Sequence, residues 1–195
     1  MKITLTPTTH KMGAIPSVSL APIATCPPTA PCRSTAACYA CRLTACRPTV
    51  RAAWMANAQV AQADPARFFA AVRGCIAAEQ PPMFRWHVAG DIPSQRYLDA
   101  MKAIAKDFPA TRFLAFTKAH ALDFTNRPHN LAILASVWPG WGDIADLRRR
   151  RLPIAWLQDG TETRVPLTAT RCAGHCEDCA RCWHPATRDI VFAKR

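Results

Sequence analysis

Ten cysteines in 195 residues carry most of the chemistry open to this chain. They form two groups near opposite ends, with Cys75 alone between them. The later group reads Cys172-Ala-Gly-His-Cys176-Glu-Asp-Cys179-Ala-Arg-Cys182-Trp-His184. Intervals of three, two and two residues let four thiols converge from one looped segment on a single metal centre. Runs of this tightness are the usual sequence form of the four thiolates that hold an iron–sulfur cluster. Tetrahedral zinc accepts the same donors, but structural zinc sites more often pair two close knuckles across a longer loop, so zinc stands as the alternative. His175 and His184 are spare donors.

The earlier group reads Thr25-Cys26-Pro-Pro-Thr-Ala-Pro-Cys32-Arg-Ser-Thr-Ala-Ala-Cys38-Tyr39-Ala-Cys41, with Cys46 a few residues beyond. Pro27, Pro28 and Pro31 hold this stretch out of regular structure. Cys26, Cys32 and Cys38 are the first-choice metal ligands, followed by Cys41 and then Cys46. The spacing leaves the fourth ligand open between Cys41, Cys46 and none. The run from Ile15 to Ala24 is broken by Pro16 and Pro22, so no secretory leader is expected and the cytoplasm is the expected compartment. Clustered thiols there serve metals or redox work, whereas an oxidising compartment would make the same loop a disulfide framework. Cys75 lies on the apolar stripe of a helix and reads as a small buried hydrophobe.

Between the two groups, Gly90 and Asp91 follow a strand-like run, and Asp91 suits an ammonium group, a metal-bound water or a helix entry. His87 alternates with Phe84, Trp86 and Val88, which aims it at the opposite side of its strand as a substrate-binding or acid–base group. Lys118 ends another apolar run and suits a substrate carboxylate or phosphate, or a surface position with its stem folded down. No residue is assigned a catalytic role. Arg148 to Arg151 read as a solvated helix end with a nucleic-acid contact as the alternative, and most of the six tryptophans read as core.

Half of the residues are apolar and 19% are charged, which excludes a disordered or fibrous chain. No 18-residue apolar run exists, so no membrane helix is expected. Twenty-five Lys and Arg against thirteen Asp and Glu leave a charge of +12, which suits an anionic partner such as nucleic acid or an acidic redox protein. Two loaded four-iron clusters of about two negative charges each would offset part of that excess. Oligomeric state is not legible.

Short apolar runs at Met83–Ala89, Arg112–Thr117, Leu131–Val137 and Pro153–Leu157 have the length of buried parallel strands, with Ser17–Leu20 and Ile190–Ala193 as weaker ones. Helices are expected over Thr49–Gln62, from Asp64 with Pro65 at its first turn, and from Ser94 through Asp107. Strands separated by helices predict an α/β fold with a mostly parallel sheet, too short for eight barrel strands and hence a partial, open β/α barrel. The whole chain, 1–195, is expected to form one domain. Its parts are a partial barrel over 15–160, including the first cysteine loop, and a cysteine-rich segment over 161–195 packed on it.

A cysteine loop after the first strand, ending in Cys38-Tyr39-Ala40-Cys41, with Ala89-Gly90-Asp91-Ile92-Pro93 after the second, resembles the radical S-adenosylmethionine superfamily. That resemblance implies a four-iron cluster on the first loop, with Gly90 and Asp91 holding the amino group of S-adenosylmethionine. The closer resemblance is to a family of phage- and plasmid-encoded proteins called after phage gene product eighty-eight. It rests on Thr-Cys-Pro at 25–27, Cys-Tyr-Ala at 38–40, Phe84 to Asp91, Arg112 to Lys118, Ser-Val-Trp-Pro-Gly at 136–140 and the cluster ending in Cys182-Trp183. It implies an iron–sulfur protein with two four-iron clusters on a radical-SAM-like partial barrel, and supplies no activity or substrate.

Overall fold

Eight strands build one sheet in the order β1-β2-β3-β4-β5-β6-β8-β7. The computed structural model describes residues 3–34, 38–184 and 186–193. The strands are β1 (Leu5–Thr6), β2 (Ser17–Val18), β3 (Met83–Trp86), β4 (Arg112–Thr117), β5 (Leu131–Val137), β6 (Ile154–Gln158), β7 (Thr170–Arg171) and β8 (Ile190–Ala193). Only β1 runs antiparallel to its neighbour. The sheet does not close: β1 and β7 are its two edges.

The helices are α1 (Tyr39–Cys46), α2 (Pro48–Ala63), α3 (Pro65–Glu79), α4 (Gln95–Asp107), α5 (Ile144–Arg149) and the single turn α6 (Cys176–Cys179). Their starts follow local chemistry. Pro48 and Pro65 occupy first-turn positions where no N–H is needed, Asp64 accepts from the N–H of Arg67, and Ser94 accepts from that of Tyr97. None of α2 to α5 reaches into a membrane-spanning role, since among the described residues no helix is long and apolar enough.

Alternation along the strands sorts side chains onto two faces. Phe84, Trp86, Phe113, Ala115, Ile133, Ala135, Ile154 and Trp156 join the larger core with residues of α2, α3, α4 and α5. Leu114, Leu134, Ala155 and Ile190 point the other way and pack with Met12, Ile15 and Trp183. Both chain ends therefore cover the second face. Trp183 is fully buried there and its Nε1–H donates to the Phe84 carbonyl at 3.1 Å.

Three expectations need correction. The segment from Tyr39 to Cys46 is a helix and not part of an irregular loop, because Ala40 and Thr44, four residues apart, give it a buried side against Trp54 of α2. The sheet has two more strands than the apolar runs showed. Both, β1 and β7, are two residues long.

His87 does not alternate with Trp86. Its φ of 58° is left-handed, which ends β3 and turns the ring to the helix side. There it lies 5.4 Å from the Tyr97 ring and 6.0 Å from the Trp86 ring, while Val88 packs on the second face.

Candidate metal centres

The Cys172–Cys182 segment lies over the second sheet face. Cys172, Cys176 and Cys182 pack against the Met12, Leu114 and Trp183 cluster, and the N–H of Cys172 donates to the Val191 carbonyl at 2.9 Å. The N–H of Cys176 donates to the Lys11 carbonyl at 3.0 Å, which ties α6 to the N-terminal turn. That turn is closed by reciprocal bonds between Thr9 and Gly13. Gly13 suits this turn through its left-handed φ of 64°, and a Cβ there would also displace the Glu177 side chain of α6. Ala180, left-handed at φ 45°, then reverses the chain between Cys179 and Cys182.

As a result all four cysteines line one cavity of about 100 Å³, together with His175 and Trp183. A single water needs only ~10–15 Å³ measured the same way, so the space is several waters large. Burial pushes the Cys176 thiol up and the Cys182 thiol up to about 12, with the neighbouring cysteines adding to the second effect. Arg85 and Lys11 oppose the shift at Cys176, and Arg85 opposes it at Cys182. Four cysteines are the donor set that an iron–sulfur cluster or a zinc ion takes.

The first group is assembled differently. Its loop leaves β2 through Leu20, whose N–H donates to the Ala89 carbonyl at 3.0 Å. Thr25 Oγ1 donates to the Ala21 carbonyl at 2.8 Å and accepts from the Asp91 N–H at 3.3 Å. Gly90 permits this approach: it has φ 78°, and a Cβ would stand 2.6 Å from Thr25 Oγ1 and 2.8 Å from the Leu20 Cβ. Ile23 is held left-handed at φ 67°, a costly conformation for a β-branched residue. Arg33 clasps the loop by donating to the carbonyls of Ile23 and Cys26.

Beside that clasp Cys38 lies within hydrogen-bond reach of Cys32 and of Cys41. Cys32 donates to Cys38, which lowers the Cys38 thiol and raises that of Cys32. The N–H groups of Cys41 and Ala40 at the start of α1 further favour a Cys38 thiolate. Cys26 is raised, mainly by burial, and feels Cys38 and Lys118. Cys46 is exposed at the far end of α1, and Cys75 is half-buried on α3. Among the described residues Cys26, Cys32, Cys38, Cys41, Cys46, Cys172, Cys176, Cys179 and Cys182 are not joined in disulfides. Among the described residues no group of three His, Cys, Asp or Glu side chains stands close enough to hold a single metal ion.

Asp91 is a latch between strand ends. Its carboxylate accepts from Thr117 Oγ1 at 2.6 Å, the Lys118 N–H at 2.8 Å and the Ile92 N–H at 2.7 Å. A carboxylate has about four acceptor positions, so three are filled from within the chain. Burial raises Asp91, and Lys118 opposes that rise. The Lys118 ammonium also acts on Cys26 and Cys32, so β4 delivers a cation to the first thiol group.

His87 has both ring nitrogens buried without a partner, as are Tyr97 Oη and Trp86 Nε1 beside it. Burial lowers His87 to about 3, with Arg85 adding to the effect.

Three of the four arginines of the 148–151 run are paired within the chain. Arg148 pairs with Asp189, Arg149 with Asp146, and Arg150 with Asp146 and the carbonyls of His120 and Leu122. Sequence reasoning missed Arg85 altogether. Its charge acts on Cys176 and Cys182 and on Tyr39, the residue after Cys38. A basic residue inside an alternating apolar strand was its available signal.

The model of a protein family described as Gene product 88 matches residues 2–185 of the chain. No curated protein matches it, and no solved structure does.

Proposed function

From the premise that the chain belongs to the Gene product 88 family, whose description names no activity, we propose that it is an iron–sulfur protein with two four-iron centres and a redox role. The observation that carries the reading is the cavity lined by Cys172, Cys176, Cys179 and Cys182. These four cysteines line the cavity beside the buried Trp183, and the charges of Arg85 and Lys11 act on Cys176.

Cys26, Cys32, Cys38 and Cys41 would hold the second centre. Bound clusters of this kind supply one-electron transfer. The chain's own residues do the rest. Arg33 and Gly90 fix the first loop over the ends of β3 and β4 and Trp183 anchors the second segment, so the sheet would carry both centres on one frame.

The internal bonds of Asp91 favour a structural latch over an anchor for S-adenosylmethionine. Electron transfer or reduction of a bound partner therefore fits better than radical chemistry on that cofactor. An acidic redox protein or nucleic acid remains the partner class suited to the net charge.

Serine substitution tests the ligand sets. In anaerobically purified protein, Cys172→Ser/Cys182→Ser should remove about four irons per chain and leave the other four. Cys75→Ser should remove none. Retention of all iron by the double variant would refute the assignment of that centre. Addition of S-adenosylmethionine to reduced protein should leave its electron paramagnetic resonance spectrum unchanged, and a new signal would return the radical reading.

A further inference from the structure

The basic excess of the chain is unevenly placed. Residues 1–63 contain six Lys and Arg and no Asp or Glu, so every carboxylate side chain lies beyond them. Three of those cations, Arg42, Arg47 and Arg51, fall on the hairpin of α1 and α2, and all three are exposed. Among the described residues the arginines that meet a carboxylate are Arg73, Arg148, Arg149, Arg150 and Arg164, and the hairpin arginines are not among them. A cation held for folding is expected to find its carboxylate within the chain. These three have none on either helix.

Large apolar side chains share that surface. On α1, Tyr39 and Leu43 stand one turn apart with Arg42 beside them, on the side away from the buried Ala40 and Thr44. Tyr39 keeps 51% of its surface exposed, even though burial raises its hydroxyl. On α2, Arg51 and Met55 are also one turn apart and both exposed. The hairpin therefore turns guanidinium groups outward beside an aromatic ring and two aliphatic side chains, with no negative charge to repel an anion.

We propose that the exposed face of α1 and α2 binds single-stranded nucleic acid, with Arg42, Arg47 and Arg51 on its phosphates and Tyr39 stacked on a base. A guanidinium offers forked donors that match phosphate oxygens, and an aromatic side chain stacks on any base once the bases are unpaired. An acidic protein would be met by the charges alone, so the ring beside them favours the partner with flat faces. The proposal narrows the anionic-partner reading given above and holds whatever the cysteines carry.

The test is fluorescence anisotropy of labelled, mixed-sequence single strands of DNA and RNA over a series of salt concentrations. Wild-type protein should bind at least one of them. Arg42→Gln/Arg47→Gln/Arg51→Gln should weaken binding and reduce the slope of log affinity against log salt by about 2, because each phosphate contact on a single strand contributes about 0.7. Arg96→Gln/Lys106→Gln/Arg188→Gln, which removes the same charge from exposed positions elsewhere, should leave the slope near that of wild type. Tyr39→Leu should weaken binding about five-fold or more with the slope unchanged.

An unchanged slope in the hairpin variant overturns the proposal, as does an equal loss from both triple variants, which would make the effect one of net charge. Preference for polyglutamate or duplex DNA over the single strands overturns this proposal alone and leaves an anionic partner in place. Wild-type protein that binds none of these probes overturns both this proposal and the anionic-partner reading.

Discussion

Replacing His87 by Asn should flatten the acid side of the stability curve. His87 is 3% exposed, its ring nitrogens have no partner, and burial holds it at about 3 against 6.5 for a free histidine. The unfolded chain therefore takes up a proton at this residue as the pH falls below 6.5, whereas the folded chain stays neutral until about 3. Stability from this group is complete above the unfolded value and declines as the pH falls through the window between the two.

Within that window the loss is ~1.4 kcal/mol per pH unit. Between about pH 7.5 and about pH 5.5, linkage puts the loss from His87 at roughly 1.4 kcal/mol. Asn tolerates the left-handed backbone and does not titrate, and the remaining histidines contribute alike to both proteins. Urea unfolding of wild-type and His87→Asn protein at the two pH values reads the difference directly. Equal pH dependence in the two proteins would refute the claim that His87 is buried as a neutral ring.

Two further substitutions test how the fold carries the sites. Gly90→Ala places a methyl group 2.6 Å from Thr25 Oγ1 at a left-handed φ, and should cost ~1–3 kcal/mol and speed tryptic cleavage after Arg33 in the first cysteine loop. Gly74→Ala in α3, where a Cβ meets nothing within 4 Å, should instead stabilise by ~0.5–1 kcal/mol, and a matching loss there would show that the Gly90 effect is not steric. Asp189→Ala removes the acceptor of Arg148, the Ile154 N–H and Trp156 Nε1, and should lower stability by ~3–5 kcal/mol by leaving a half-buried guanidinium and a buried indole N–H unpaired. A loss under ~1 kcal/mol in urea unfolding would show that Asp189 does not join β6, β8 and α5.

The elements legible in the sequence are those whose pattern is local. Arg112–Thr117, Leu131–Val137 and Ile190–Ala193 are strands with the ends their apolar runs give, and Asp64-Pro65 and Ser94 mark true helix starts. The Cys172–Cys182 run does bring its four cysteines to the lining of one cavity, but the described side chains do not form a group of three that could hold a single metal ion.

What depends on distant partners was not legible. β1 and β7 exist through pairing with Ser17–Val18 and Ile190–Val191, and two residues carry no periodicity. The fates of Arg148 and Arg150 are fixed by Asp189, 41 residues away in the first case, and by the His120 and Leu122 carbonyls in the second. The left-handed turn at His87 gives no signal in a non-glycine residue, so the alternation rule placed its ring on the wrong face. In α1 the cysteines and the upstream prolines drew the reading toward a loop, and the four-residue spacing of Ala40 and Thr44 carried the helix instead.

The central claim is tested most directly by counting iron and acid-labile sulfide, with zinc as the competing metal, in wild-type protein purified without oxygen. The account predicts a brown protein with about eight irons and about eight sulfides per chain and no stoichiometric zinc. A colourless protein without iron, or one carrying zinc in place of iron and sulfide, would contradict it.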